Sequence, residues 1–98
     1  MSEGNPIIHQ ATRLKIMASL NKLGADAALD FTGLKTILDT TDGNLGTHLD
    51  ALDKAGYIAV EKSFEGRKPR TRVKATPAGR RAFVEHVAYL RNIIDSGE

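Results

Sequence analysis

Between Lys62 and Arg81 the chain carries eight basic side chains, Lys62, Arg67, Lys68, Arg70, Arg72, Lys74, Arg80 and Arg81, against one acid, Glu65. Cations at this density hold phosphate oxygens, and the arginine fork does so bidentately. In strand geometry Arg70, Arg72 and Lys74 share one face as a cationic stripe, while Thr71 and Val73 take the other. Gly66 permits a tight turn beside them. The bland alternative is a charged edge that blocks strand-to-strand aggregation, but the charge excess is larger than edge protection requires. Upstream the sign reverses, with six aspartates from Asp26 to Asp53 against Lys35. Net charge is only +2, so the information lies in the segregation.

Composition narrows what those charges serve. Apolar residues make up 41% and charged ones 27%, the balance of a folded domain and not of a disordered tail. At 98 residues one domain spanning 1–98 is expected, with no room for a separate catalytic unit. Without cysteine there is no disulfide framework, thiolate metal site or cysteine nucleophile. No paired carboxylates sit in an apolar setting and no nucleophile elbow occurs, while Gly43-Asn44-Leu45-Gly46 is not a phosphate loop; an enzyme is not expected. No apolar run approaches the roughly 18 residues of a membrane span, and MSEGNPIIHQ has no secretory pattern. The expectation is a cytoplasmic protein without a membrane partner.

Periodicity supplies the scaffold. Asn5 as N-cap, Pro6 as first helical residue and Gly24 as stop bracket a helix over about 6–23, with Ile7, Ala11, Leu14, Met17 or Ala18, and Leu20 at three- and four-residue spacing. Ala27 to Phe31 reads as a short edge strand. Thr32 predicts the N-cap of a second helix carrying Leu34, Ile37 and Leu38, and Asp39-Thr40-Thr41 supplies a turn. Thr41 caps a third helix, Asp42 complements its dipole, Gly56 ends it, and Leu45, Leu49 and Leu52 form its apolar stripe. Tyr57 to Phe64 and Arg70 to Ala75 read as strands around a tip of Glu65-Gly66-Arg67-Lys68-Pro69. Thr76 and Pro77 open a last helix over about 77–94.

Two short helices joined by a tight turn, then a basic hairpin, then a long helix are the order of a winged helix-turn-helix. The expected class is α+β, mainly α, with a two- to three-stranded β-wing and long outer helices. The stretch Thr41 to Tyr57, T-D-G-N-L-G-T-H-L-D-A-L-D-K-A-G-Y, resembles the recognition-helix block of compact MarR/ArsR-type winged helix-turn-helix regulators, close to S-D-G-N-L-S-x-H-L-x-x-L-E-x-A-G-Y. Val60 to Thr71 resembles their wing, and Thr76-Pro77-Ala78-Gly79-Arg80 matches the T-P-x-G-R opening of their last helix. The similarity covers about Leu14 to Leu90. It implies a dimeric, sequence-specific regulator of double-stranded DNA whose outer helices make the dimer. In that family Gly43, Asn44, Thr47 and His48 correspond to groove-facing positions; with the cap residue Thr41 they are the expected contacts of the recognition helix, and the charge of the hairpin adds Lys62, Arg67, Lys68, Arg70 and Arg72 as the expected contacts of the wing.

With the leucine stripe on the core, Gly43, Thr47, Asp50 and Lys54 point most directly outward, flanked by Asn44 and His48. Asn pairs bidentately with adenine, and Thr offers a hydroxyl to a base or a methyl to thymine. Asn44 serves equally well in a helix-start hydrogen bond, and His48 in packing against a preceding helix. The outward positions of this helix depart from the family pattern, which often carries Arg or Lys there; Thr47, Asp50 and Asp53 are found instead. A carboxylate is repelled by phosphate unless it reads cytosine N4 or lies beyond the contacted part. On that ground the wing and the start of the last helix are expected to supply most of the affinity.

The last helix carries Phe83, Val87, Leu90 and Ile94 on one stripe, with Val84, Tyr89 and Ile93 beside it, a broader apolar arc than one domain-facing stripe requires. Ile7, Ile8, Val84, Val87, Tyr89, Leu90 and Ile94 are the expected dimer interface, the bland alternative being a wholly intramolecular core. His9 and His86, on the outer helices, could meet across such a dimer, but with His48 they show no metal-ligand spacing; neither metal nor other cofactor is expected. No residue pattern points to a small-molecule effector. The acidic third helix leaves one alternative, a winged helix used as a protein-interaction module with little or no DNA affinity. RNA is disfavoured because stacking aromatics are few.

Overall fold

The leucine stripe decides how the chain closes on itself. α3 (Asp42–Lys54) buries Leu45 and Leu52 completely and Leu49 almost so, each contributing about 1.5–3 kcal/mol. They join Ile8, Ile16, Met17, Leu20, Leu34, Ile58, Val73 and Ala75 in one core cluster. The computed structural model describes residues 4–24 and 26–96. Around α3 stand α1 (Ala11–Asn21), β1 (Leu29–Asp30), α2 (Phe31–Leu38), β2 (Ile58–Glu65), β3 (Lys68–Ala75) and α4 (Pro77–Ser96). The antiparallel sheet has the order β1-β3-β2, with Val60 opposite Val73 and Glu65 opposite Lys68.

α3 has the ends that its sequence predicts. The Thr41 hydroxyl accepts the Asn44 N–H at 3.2 Å. At the other end Gly56, at φ 80°, lets its own N–H reach Asp53 and the Tyr57 N–H reach Leu52, a Schellman stop. The first helix is different. Asn5 is a cap, since its side chain accepts the N–H groups of Ile7 and Ile8, but it caps a single turn. The chain extends at Gln10 (ψ 130°), whose side chain then caps α1. The burial pattern explains the break. On one continuous helix Ile8 would lie about 125° from the mean direction of Ile16, Met17 and Leu20, and all four are fully buried. Thr32 does not cap α2. Asp30 stands at that position without a side-chain cap bond, because its carboxylate is turned to Arg70 and Arg72.

The hairpin is longer than the sequence suggests, and its turn is only Gly66-Arg67, with Gly66 at φ 66°. Pro69 stands inside β3. There β1 no longer flanks the strand, pairing only with Arg72 and Val73, so β3 has an open side that tolerates a residue without an N–H.

Each fixed letter of Thr76-Pro77-x-Gly79-Arg80 has a structural task. The Thr76 hydroxyl accepts from Gly79 N–H at 3.0 Å and donates to the Gly56 carbonyl at 2.7 Å. Its N–H donates to Tyr57 O. Gly79 allows the start of α4 to lie directly on the Tyr57 carbonyl, which a Cβ there would overlap. Arg80 donates to Gly24 O at 2.9 Å and Leu23 O at 3.5 Å, holding the turn that follows α1.

His86, in the middle of α4, is 1% exposed. Its Nδ1 accepts the Asn5 N–H at 3.0 Å, and its ring stacks on Tyr89 and meets His9 edge-on. The two histidines thus meet within one protomer. Burial, then the neighbouring His9, holds the His86 pKa below the ordinary histidine value; burial, then Arg13, does the same for His48. A depressed pKa means that the unfolded chain binds more protons than the folded one below about pH 6.5. Stability is therefore expected to be fully present above that pH and to fall as pH drops through the folded values. His86→Gln, which keeps an acceptor for Asn5, should show a shallower decline in urea melts between pH 7 and 5 than the wild type.

Candidate nucleic-acid interface

Alternation fixes what each face of the hairpin presents. Ile58, Val60, Lys62 and Phe64 of β2, with Ala75, Val73, Thr71 and Pro69 opposite them, form the face that turns from core toward α3. Val60, Lys62 and Thr71 line a cleft of about 610 Å³ whose other wall carries Gly46, Asp50 and Asp53 of α3. The remote face bears Arg70, Arg72 and Lys74, as the sequence predicts, but carboxylates share it. Arg70 pairs with Glu65 at 2.7 Å and Asp30 at 3.7 Å, Arg72 with Asp30 at 3.5 Å, and Lys74 with Glu61 at 3.7 Å. The stripe is thus largely neutralised where it stands.

Arg80 is not available either, being half-buried on the turn that follows α1. Among the described residues the basic side chains of this stretch outside any ion pair or bond to a carbonyl are Lys62, Arg67, Lys68 and Arg81. Lys62, Arg67 and Lys68 are exposed on the outer half of the wing. Asp30 pairs with two more, Arg70 and Arg72. Asp30→Asn should release Arg70 and Arg72, strengthen duplex binding severalfold and steepen its salt slope by about 1. Unchanged binding in a gel-shift titration would mean that those arginines do not reach phosphate.

The cap residue Thr41 and, on α3, Gly43, Asn44 and Thr47 are all exposed. The Asn44 amide donates to the Thr40 hydroxyl at 2.7 Å, and the Thr47 hydroxyl to Gly43 O at 3.0 Å, so both are locally bonded while facing solvent. His48 is half-buried, its Nδ1 accepting from Arg13 Nε at 3.1 Å. It ties α3 to α1. Asp42 pairs with Lys35 at 2.8 Å and Asp50 with Lys54 at 2.9 Å, which relieves part of the acidity of this helix. Lys35, Arg13 and Asp30 escaped the sequence reading because their partners are brought near only by the fold. Glu61 and Glu65 join the arginine face only in the register of the two-residue Gly66-Arg67 turn, which the five-residue tip read from the sequence does not give.

The expected dimer surface divides in two. Ile8 is fully buried and Ile7 packs on the core, so Ile8 has no surface left for a partner. Tyr89 is half-buried against Gly4 and His86. Val84, Val87, Leu90 and Ile94 remain on one arc of α4, with Val84 63% and Ile94 74% exposed. No helix among the described residues is long and apolar enough to cross a membrane.

The winged helix DNA-binding domain family matches residues 12–94. An uncharacterised protein of Methanocaldococcus jannaschii is 36% identical over 81 residues, covering 83% of this chain and 85% of that one. The structure of a transcriptional regulator homologue from Pyrococcus horikoshii superposes with a TM-score of 0.84 at 29% identity, over 94% of this chain and 88% of the other. A regulator of the MarR family from Enterococcus faecalis shares the fold at TM-score 0.71 and 23% identity, over 92% and 77% of the two chains. With an open third helix, a cation-tipped hairpin beside it and this family match over most of its length, the chain belongs to the winged helix DNA-binding domain family, a DNA-binding family and not an enzyme family.

Proposed function

We propose that the protein is a homodimeric transcriptional regulator that reads a pseudo-palindromic operator, with α3 in the major groove and the wing on the adjacent backbone and minor groove. The observation that carries this reading is the pairing of an exposed α3 face with a wing whose unpaired cations, Lys62, Arg67 and Lys68, lie on its outer half. Gly43, Asn44 and Thr47 would meet base edges, and Thr41 would lie at the phosphates flanking the helix start. The description of the Pyrococcus horikoshii protein as a transcriptional regulator homologue supports the same reading.

Val84 and Ile94, exposed on α4 beside the half-buried Val87 and Leu90, are the surface for a second copy, because two large apolar side chains are otherwise left in water. Two-fold pairing there would repeat α3 at about one DNA turn, roughly 34–36 Å. Selection of bound duplexes from a random library is expected to return an inverted repeat with that half-site spacing. Sedimentation at low micromolar concentration should show twice the 10.6 kDa chain mass. A 10.6 kDa species alone, or a library that enriches no duplex, contradicts the proposal.

A further inference from the structure

Phe64 is the most exposed of the large apolar side chains of the described chain, at 75%. It sits on the wing one residue before the Glu65–Lys68 pair that flanks the turn, directly across from Pro69. An exposed phenylalanine forgoes about 1.5–3 kcal/mol that burial would return, and the sheet offers it no cover. The hairpin carries it beyond the core, in a molecule of principal extents 53 × 25 × 21 Å. Its face is the one turned toward α3, and its nearest neighbour on that strand face is Lys62. Arg67 at the turn and Lys68 beyond it are also outside the ion pairs. An apolar pair with Lys62 on its own face, Arg67 at the turn and Lys68 on the opposite face matches a surface that is itself apolar but walled by anions.

We infer that Phe64, backed by Pro69, is the apolar contact of the wing with the deoxyribose walls of the DNA minor groove, with Arg67, Lys62 and Lys68 holding the flanking phosphates. The inference rests on the DNA-binding reading above and deepens it. The minor groove is about 6 Å wide, which admits side chains projecting from a hairpin end but neither a helix nor the ribbon itself. Proteins that enter it combine cations for its negative potential with apolar side chains set against sugars and base steps. The wing holds both within one hairpin end. A second copy of the chain is the less suitable occupant, since three unpaired cations would be desolvated against an equally cationic partner.

Charge contacts and apolar contacts separate in a salt titration. Each lost phosphate contact flattens the plot of log affinity against log salt concentration by about 0.9, whereas a lost apolar contact lowers the line without changing its slope. Phe64→Ala is therefore expected to weaken binding of a duplex about tenfold at every salt concentration with the slope unchanged. Phe64→Leu should retain most of the affinity, and Arg67→Ala should lower the slope instead. The melting temperature of Phe64→Ala should equal that of the wild type, because the ring covers nothing. Wild-type binding with Phe64→Ala indistinguishable from it overturns the inference and leaves the DNA reading standing. A flattened slope in Phe64→Ala overturns it too, by making the residue a positioner of charge. Loss of self-association on sedimentation assigns the ring to a second copy and overturns it. A wild-type protein that binds no duplex removes the DNA reading and the inference together.

Discussion

Gly79→Ala is expected to destabilise the protein by about 3 kcal/mol, the upper part of the usual range for overpacking, and to lower its Tm by more than about 10 °C. The nearest neighbour of the added methyl is backbone, which cannot give as a side chain can. The methyl falls on the Tyr57 carbonyl oxygen and within 3.0 Å of Met17 Cε. That carbonyl is pinned by the Thr76 N–H, at a junction where Gly56 has already taken a positive φ. α4 would have to lift from the link between α3 and the wing. Gly46→Ala supplies the control, since nothing lies within 4 Å of a Cβ there. In mid-helix it should stabilise by about 0.5–1 kcal/mol. Thermal melts of the two variants side by side decide the matter, and equal Tm values would mean that α4 is not seated where the structure has it.

The second large effect belongs to the wing. Replacing Lys62, Arg67 and Lys68 together by Ala is expected to lower the salt slope by about 3 per wing engaged and to weaken duplex binding at 100 mM salt by about a hundredfold or more. Replacing Arg70 and Arg72 together should cost less than half that slope. Those two arginines already face Asp30 and Glu65, and phosphate must compete with carboxylates that are in place. All five side chains are exposed, so thermal melts should stay near wild type in both variants. The sequence by itself would have ranked Arg70 equal to Arg67; the ion pairs separate them.

That ranking shows where sequence reading stops. Local chemistry was readable: the Thr41 cap, the Gly56 stop, the Leu45–Leu49–Leu52 stripe, the Thr76-Pro77 helix start and the existence of the hairpin all rest on residues within a few positions of one another. What failed depended on partners distant in the chain. Asn5 looked like the cap of a long helix because nothing nearby in sequence says that Ile8 must turn into the same core as Ile16 and Leu20. Asp30 looked idle, and Thr32 took its capping role, because the arginines that claim its carboxylate lie about forty residues on. Ile8 looked like an interface residue because its burial in the core cluster is tertiary. The charge count from Lys62 to Arg81 was correct as a sum and misleading as a surface, since Arg80 is spent on the turn that follows α1 and three further cations on acids.

The claim most exposed to test is that the free wing cations engage a duplex. Binding of a labelled random duplex to the wild-type protein, titrated from 50 to 200 mM salt, measures it in one experiment. A two-fold dimer presenting Lys62, Arg67 and Lys68 from each protomer should give a linear plot of log affinity against log salt concentration with a slope of about −5. No binding at 50 mM salt, or a slope near zero, would contradict it.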